Sequence, residues 1–392
     1  MSDKRITGEY VQSSINSPRP YKAFIPFPLP PEPPISMDSE LCDLMDRANR
    51  ALGRLDGVTV LLPDEYLFTY FYVRKEAVLS SQIEGTQSTL SQLLLFEIEE
   101  VPGVPIDDAK EVLNYVRAMQ WGLSSIASSK RLPLSLRLIK EIHSLLLDGN
   151  RGGDKDPGEF RRYQNWVGGS NPSEASFVGP PPDRVAECMN EFEKFLHDLP
   201  EKTPVLMKAA LAHVQFETIH PFGDGNGRLG RLLITLLLCA EGALRQPMLY
   251  LSLFFKTNRE QYYEKLQQVR NDGDWEGWLR FFLQGVEETA QQAVGAAQAI
   301  LKLFAQDRDR IVTLKQQATA ALRIHEILQK RPILSIKRVA ERLSLSIPTA
   351  TKGMQNLERL GIVREITEKD RYRLYMYQPY VDILNEGTTP LR

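Results

Sequence analysis

The residues best equipped for chemistry stand in one unbroken run, His220-Pro-Phe-Gly-Asp-Gly-Asn-Gly-Arg-Leu-Gly-Arg231. An apolar, helix-like segment (MKAALAHVQFETI) precedes it and another (RLLITLLLCA) follows. Glycines at 223, 225 and 227 let the backbone turn sharply and approach a ligand closely. Asn226 and Gly227 fall where the second helix must begin, and free N–H groups at the positive end of a helix form an anion site. Arg228 and Arg231 are three apart, so both project from one face of the first turn. Two guanidiniums over a helix N-terminus destabilise it unless an anion sits between them. A polyphosphate would satisfy all of these groups together. Asp224 adds a hard oxygen ligand of the kind that holds Mg²⁺ against phosphates. His220, fixed by Pro221, stands just before the cradle, where an imidazole near an α-phosphate takes the proton of an incoming hydroxyl. Phe222 reads as the apolar anchor of the loop. The competing reading is an anion-binding loop without catalysis.

A second stretch, Ser80-Ser-Gln-Ile-Glu84-Gly85, closes a helix, with Gly85 the natural residue just past its end. A carboxylate there opposes the helix dipole, so helix stability does not account for Glu84. It is either a solvated surface group or half of an ion pair.

The first run matches H-P-F-x-D-G-N-G-R-x-x-R without a gap, and on it the chain resembles the Fic family of protein adenylyltransferases. The resemblance implies that His220 is the general base and Asp224 the ligand of Mg²⁺ or Mn²⁺. It places ATP along Gly225, Asn226, Gly227, Arg228, Leu229, Gly230 and Arg231, with AMP passing to a Ser, Thr or Tyr hydroxyl of a protein target. The second stretch is similar to the family's inhibitory motif, [S/T]-x-x-x-E-[G/N]. On that resemblance Ser80 and Glu84 belong to a brake in which Glu84 pairs with Arg231 and excludes the γ-phosphate. Two short β-prone runs around Gly-Ser-Asn-Pro, from Trp166 to Phe177, correspond to the flap that registers the target segment. Tyr263 resembles the family's nucleotide-contacting tyrosine, and Asn271 is a further candidate for the base. Adjacent residues diverge on a helix, so only one of Tyr262 and Tyr263 faces the pocket, and the plain alternative is that one of them is simply core. The same fold leaves open AMP removal, transfer of another phosphate-bearing group, or a DNA-binding regulator that only senses nucleotide.

The rest of the chain must position these groups. Its composition, 42% hydrophobic and 25% charged with a net charge of −2, is that of an ordinary globular protein and favours no polyanionic or membrane partner. Cys42, Cys188 and Cys239 lie far apart, which argues against a disulfide framework or zinc cluster and fits a cytoplasmic protein. Proline-rich residues 18–34 predict an extended arm whose Tyr21, Phe24, Ile25, Phe27 and Leu29 pack on the body. Helical periodicity covers roughly 38–57, 64–84, 107–126, 133–148, 183–198, 203–219, 226–242, 258–270 and 274–305. His143, His197, His213 and His325 lack metal-ligand spacing and read as structural, as do Trp275 and Trp278. After Lys315, three short helices and two strands spell a winged helix. There Thr349, Thr351, Lys352, Gln355, Asn356, Lys369, Arg371 and Arg373 are of types that contact phosphates and base edges. Thirteen Lys or Arg stand against eight Asp or Glu from 321 to 392. That excess is modest, so DNA binding, protein docking and homodimerisation all fit the tail. The expected fold is mainly α: an arm and helical domain over 1–105, a Fic-type core with its flap over 106–317, and a winged helix over 318–392.

Overall fold

The computed structural model describes residues 5–12, 20–61, 65–97, 106–127, 134–149, 156–367 and 373–390. Strands β1 (Gly8–Gln12) and β2 (Lys22–Pro26) form an antiparallel pair. Helices α1 (Ser39–Leu61), α2 (Glu65–Ile83), α3 (Leu90–Phe96), α4 (Ile106–Ala127) and α5 (Leu136–Leu146) follow. A hairpin of β3 (Trp166–Val167) and β4 (Phe177–Val178) leads into α6 (Pro182–Leu196), α7 (Val205–Ile219), α8 (Asn226–Ala240), α9 (Ser252–Thr257), α10 (Arg259–Asp272) and α11 (Trp275–Val312). The last module comprises α12 (Ala318–Lys330), β5 (Ile333–Ser335), α13 (Ile336–Leu343), α14 (Ile347–Arg359), β6 (Arg364–Glu365), β7 (Leu374–Met376) and α15 (Gln378–Asn385). The architecture is mainly helical, with a helical core, a small flap and a winged helix.

The two helices that flank the chemical loop sit deepest. Thirteen of the fifteen residues of α7 are buried, which explains why its sequence shows no polar face. Twelve of fifteen are buried in α8, and the leucine run reads correctly as an internal helix. Trp278 of α11 is fully buried among His213, Phe255 and Tyr262, and its indole N–H donates to the Ala210 carbonyl at 2.9 Å. At 38 residues α11 is about 57 Å long. It packs along α1 and α7 in the core and reaches α12 and α15 of the last module.

Several elements depart from the periodicity. Part of the proline-rich arm is a strand: Lys22–Pro26 carries no proline before its last position and pairs with Gly8–Gln12, Gly8 opposite Pro26 and Gln12 opposite Lys22. A Cβ at Gly8 would run into Phe24, so only glycine lets the strands close there. Phe24, Ile25 and Leu29 do pack inward, whereas Phe27 is exposed. The short helices α3 and α9, strand β5 and helix α15 are too brief to establish a period of their own. In the winged helix, β7 lies between β5 and β6. Thr349, Lys352, Gln355 and Arg373 are exposed and Thr351 is half-buried. Asn356 is not available for readout: it is buried, with its amide donating to Gln317 at 3.2 Å. Lys369 and Arg371 lie outside the described residues.

Candidate active site

His220 ends α7 in the left-handed region (φ 49°), a costly conformation for a side chain with a Cβ. Its neighbours fix that geometry. Arg161 donates from Nε to the His220 carbonyl (2.9 Å) and from Nη2 to the Pro180 carbonyl (2.6 Å), and its own N–H donates to Pro221 (3.0 Å). The Asn165 amide donates to the carbonyls of His220 and Phe222, both at 3.1 Å. Asn226 reaches back from α8, accepting from the Phe222 N–H and donating to its carbonyl, both at 2.9 Å. The Phe222 ring is fully buried and stacked on His143, with centroids 3.8 Å apart.

His143 therefore does more than fill the core. Its Nδ1 accepts the Gly158 N–H (2.8 Å), which leaves the proton on Nε2 to donate to the Asp224 carbonyl (3.0 Å). Burial pushes its pKa down to about 4, which keeps this tautomer neutral. The sequence did hold a hint, because His143 shares the buried face of α5 with Ile139, Ile142 and Leu146. Arg161 and Asn165 gave none. A loop arginine and asparagine in RRYQNW look like any surface pair until the chain folds.

The cleft beside the loop has a volume of about 330 Å³ and is lined by Glu84, Gly85, Thr86, Asp108, Glu111, His220 and residues 223–228. Burial, together with the nearby Arg270 and Arg161 guanidiniums, pushes the His220 imidazole down to about 4. It is thus neutral near pH 7, and its Nδ1 has no protein partner among the described residues. Gly225 caps α8 with φ +75°, and no side chain caps the helix, which leaves the first-turn amides for an anion. The Gly225 N–H itself is engaged by the Asp224 carboxylate (2.6 Å).

Both arginines of the loop already hold anions. Arg228 is bonded to Glu111 of α4, and Asp224 lies 3.8 Å away. The spacing of the loop did not disclose Glu111, 117 residues upstream. Arg231, with its side chain only 1% exposed, donates from Nη2 to Glu84 (2.6 Å) and to the Ser80 carbonyl (3.0 Å), and from Nε to the Ser80 hydroxyl (2.9 Å). Burial would raise the Glu84 carboxyl, but the Arg231 charge and hydrogen bond outweigh it and hold it below the usual range. A Cβ at Gly227 would strike this carboxylate, so the glycine is what lets Glu84 approach the helix N-terminus.

Leu229 and Gly230 do not face the cleft. Leu229 is fully buried in the core, and Gly230 lies against Glu217 of α7. Successive residues of a helix diverge by about 100°, so the face that carries Arg228 and Arg231 cannot also present them. The Asn226 side chain is bound to the Phe222 backbone. Tyr263 is 40% exposed and close enough for Glu84 and Arg231 to influence its hydroxyl, whereas Tyr262 is buried with its hydroxyl bonded to His213 (2.8 Å). Asn271 is exposed and accepts from Gln267 (3.1 Å). The hairpin of β3 and β4 pairs Trp166 with Val178 and Val167 with Phe177, with Trp166 exposed.

For a divalent cation, Asp224 offers a carboxylate 44% exposed at the cleft. The described residues hold no group of three His, Cys, Asp or Glu that could bind a metal unaided. One open carboxylate suits Mg²⁺ brought in and largely ligated by phosphates, a mode this ion favours.

Residues 42–124 match the Fic/DOC family N-terminal model, 133–238 the Fic/DOC family model, and 319–364 a winged helix-turn-helix DNA-binding model. The protein adenylyltransferase Fic of Aedes aegypti is 36% identical over 262 residues, covering 64% of this chain and 47% of that protein. The protein of the same name from Drosophila melanogaster is 33% identical over 264 residues, covering 65% and 48%. The chain thus spans about half the length of the curated relatives it matches. A Fic family protein from Desulfovibrio desulfuricans superposes with a TM-score of 0.58 at 20% identity, over 88% of this chain and 98% of that one. A fragment of Fic-1 from C. elegans gives 0.52 at 24%, over 66% and 73%. These two likenesses establish the fold.

Proposed function

We propose that this chain, which carries the N-terminal and core domains of the Fic/DOC family, is a protein adenylyltransferase held off by its own Glu84. The observation that carries the reading is the Arg231–Glu84 pair, 2.6 Å long, set at the N-terminus of α8 beside a neutral His220. A target hydroxyl oxygen attacks the α-phosphorus of ATP, the bond to the β-phosphate oxygen breaks, and pyrophosphate leaves. The hydroxyl proton passes to His220. First-turn amides of α8 hold the α-phosphate, and Arg228, once it leaves Glu111, turns to the phosphates. Arg231 receives the γ-phosphate only when Glu84 has moved. Asp224 would hold Mg²⁺ or Mn²⁺, which would supply charge neutralisation at the phosphates. Tyr263 borders the nucleotide, and the flap around Trp166 aligns the target segment by main-chain pairing. Free Cys42, Cys188 and Cys239 suit a reducing cytoplasm, and no described helix is long and apolar enough to cross a membrane.

The working division is an N-terminal helical domain to 105, a catalytic core and linker helix to 317, and a winged helix beyond. Incubation with labelled ATP tests the reading: Glu84→Gly labels protein more strongly than wild type, and His220→Ala abolishes the label. Equal labelling of wild type and Glu84→Gly removes the brake. A second reading rests on the same carboxylate, since Glu84 at the cleft edge is placed to orient water for AMP removal. Release of label from a pre-modified target in a Glu84-dependent manner selects it. Exposed Thr349, Lys352 and Gln355 on α14 support a third, a nucleotide-sensing DNA binder, for which nucleotide-dependent DNA retention without protein labelling is the mark.

A further inference from the structure

The brake is carried on the last turn of α2, and that turn is gripped from a distant part of the chain. Glu84 N–H donates to the Ser81 carbonyl (3.0 Å), Gly85 N–H to Gln82 (3.1 Å) and Thr86 N–H to Ser81 (3.2 Å), so the chain folds back at once after the helix. These bonds are local and short in span. Beyond the contacts with Arg231, the turn is tied to a remote segment through Gln82, buried to 2% exposure. Its amide nitrogen donates to the Ser88 carbonyl and to the Thr388 carbonyl, both at 2.8 Å. Ser88 lies on the stretch of chain leaving the brake, and Thr388 lies just after α15, at the end of the last module.

The segment that presents Thr388 is itself anchored. Lys256 of α9, 5% exposed, donates to the carbonyls of Gly387 (3.0 Å) and Thr389. Thr388 Oγ1 donates to the Asn385 carbonyl (2.9 Å), and the Asn385 amide donates to Ser91 of α3 (2.9 Å). Gly387 has φ +79°, and a Cβ there would lie 2.6 Å from Leu253 Cδ1, so glycine is required for the segment to lie down. At the other end of α2, Phe71 meets Tyr380 of α15 edge to face at 5.5 Å.

We propose that residues 386–390 are a clamp on the inhibitory motif: Gln82 and Lys256 are positioning residues through which the segment following α15 holds Glu84 on Arg231. The inference rests on reading Glu84 as the brake. None of the clamp residues lines the cleft, so their loss leaves the catalytic groups in place and shifts only the balance between braked and open states. Anything that lifts 386–390, including binding at the adjoining winged helix, would act through this contact.

Two variants of the whole chain test it, Gly387→Val, which cannot take the backbone angle, and Lys256→Met, which removes the two bonds to the segment. Protein labelling from ATP and hydrogen exchange at the amides of Glu84, Gly85 and Thr86 are measured side by side with wild type and Glu84→Gly. Each variant should raise labelling and exchange on the order of fivefold, as loss of about one hydrogen bond shifts a two-state balance. General damage to the fold would lower labelling instead. Gly387→Val combined with Glu84→Gly should label no more than Glu84→Gly alone. Unchanged labelling and exchange in the folded variants, with Glu84→Gly raised, overturn the clamp. If Glu84→Gly itself fails to label, the enzymatic reading fails, and exchange at 84–86 alone decides whether the segment holds the turn. Should Gly387→Val not fold, Lys256→Met decides between the same two outcomes.

Discussion

The loop of residues 220–231 and the junction that carries Glu84 lie side by side and are built to opposite standards. In the loop, the backbone carbonyls of His220, Pro221 and Phe222 each receive a donor from outside the loop, Arg161 or Asn165. A stacked imidazole pins the Phe222 ring beneath it. At the junction, Ser81 Oγ, Gln82 Oε1, Thr86 Oγ1 and Ser88 Oγ are buried without a partner among the described residues, and Glu84 and Gly85 are exposed. A group that must meet a reacting hydroxyl gains from being fixed before substrate arrives. A group that must leave gains from resting on few contacts, because segments that open locally are drawn from the least stable part of a structure.

That contrast can be broken at several points. The largest effect belongs to His220: in the Glu84→Gly background, His220→Ala should lower AMP transfer roughly 10²- to 10⁴-fold, the contribution of a general base. Steady-state labelling measures it, and a drop below about tenfold would mean that the loop positions rather than reacts. Arg161→Met comes next. It takes one donor from each of the carbonyls of His220, Tyr163 and Pro180, and unfolding in urea should report a loss of about 3 kcal/mol. A loss under about 0.5 kcal/mol would show the loop to be rigid without it. Glu84→Gly should raise labelling by roughly tenfold while changing stability by less than Arg161→Met, since Arg231 keeps both of its bonds to Ser80 and Glu84 itself is partly exposed. A melt that falls further for Glu84→Gly than for Arg161→Met would reverse the assignment of rigid and labile regions.

The smallest effect is that of pH. His220 titrates in the folded state at about 4, so labelling by Glu84→Gly should stay nearly flat from about pH 8 to 6 on account of the base. An acid limb centred near 6.5 would place His220 in water. His143 at about 4, His213 at about 3 and His220 share a depressed folded value against 6.5 unfolded. The unfolded chain therefore binds protons first, and this contribution to stability is complete above 6.5 and falls as pH drops from there toward 4. Burial pushes Glu76 and Glu217 up to about 7, an opposing contribution over the same window, so the check is the difference in melting temperature between wild type and His213→Gln across it.

The sequence by itself determined the layout of residues 220–231, because a helix start, its glycines and two arginines one turn apart are local facts that twelve contiguous residues carry whole. It also disclosed Glu84, through the conflict between a carboxylate and the end of its helix, and Ser80 through the likeness of residues 80–85 to the inhibitory motif. It did not disclose which loop positions face the cleft. Leu229 and Gly230 share the motif with Arg228 and Arg231, and only the turn of α8 against α7 directs them inward. Nor could it disclose Arg161, Asn165, His143, Glu111 or the grip of Thr388 on Gln82. These contacts join residues 55 to 306 positions apart, and most of them end on backbone carbonyls. A carbonyl is the same at every residue, so no spacing marks it as a partner. Tertiary structure alone chose which ones the buried donors would meet, since a buried donor must find an acceptor wherever folding has left it.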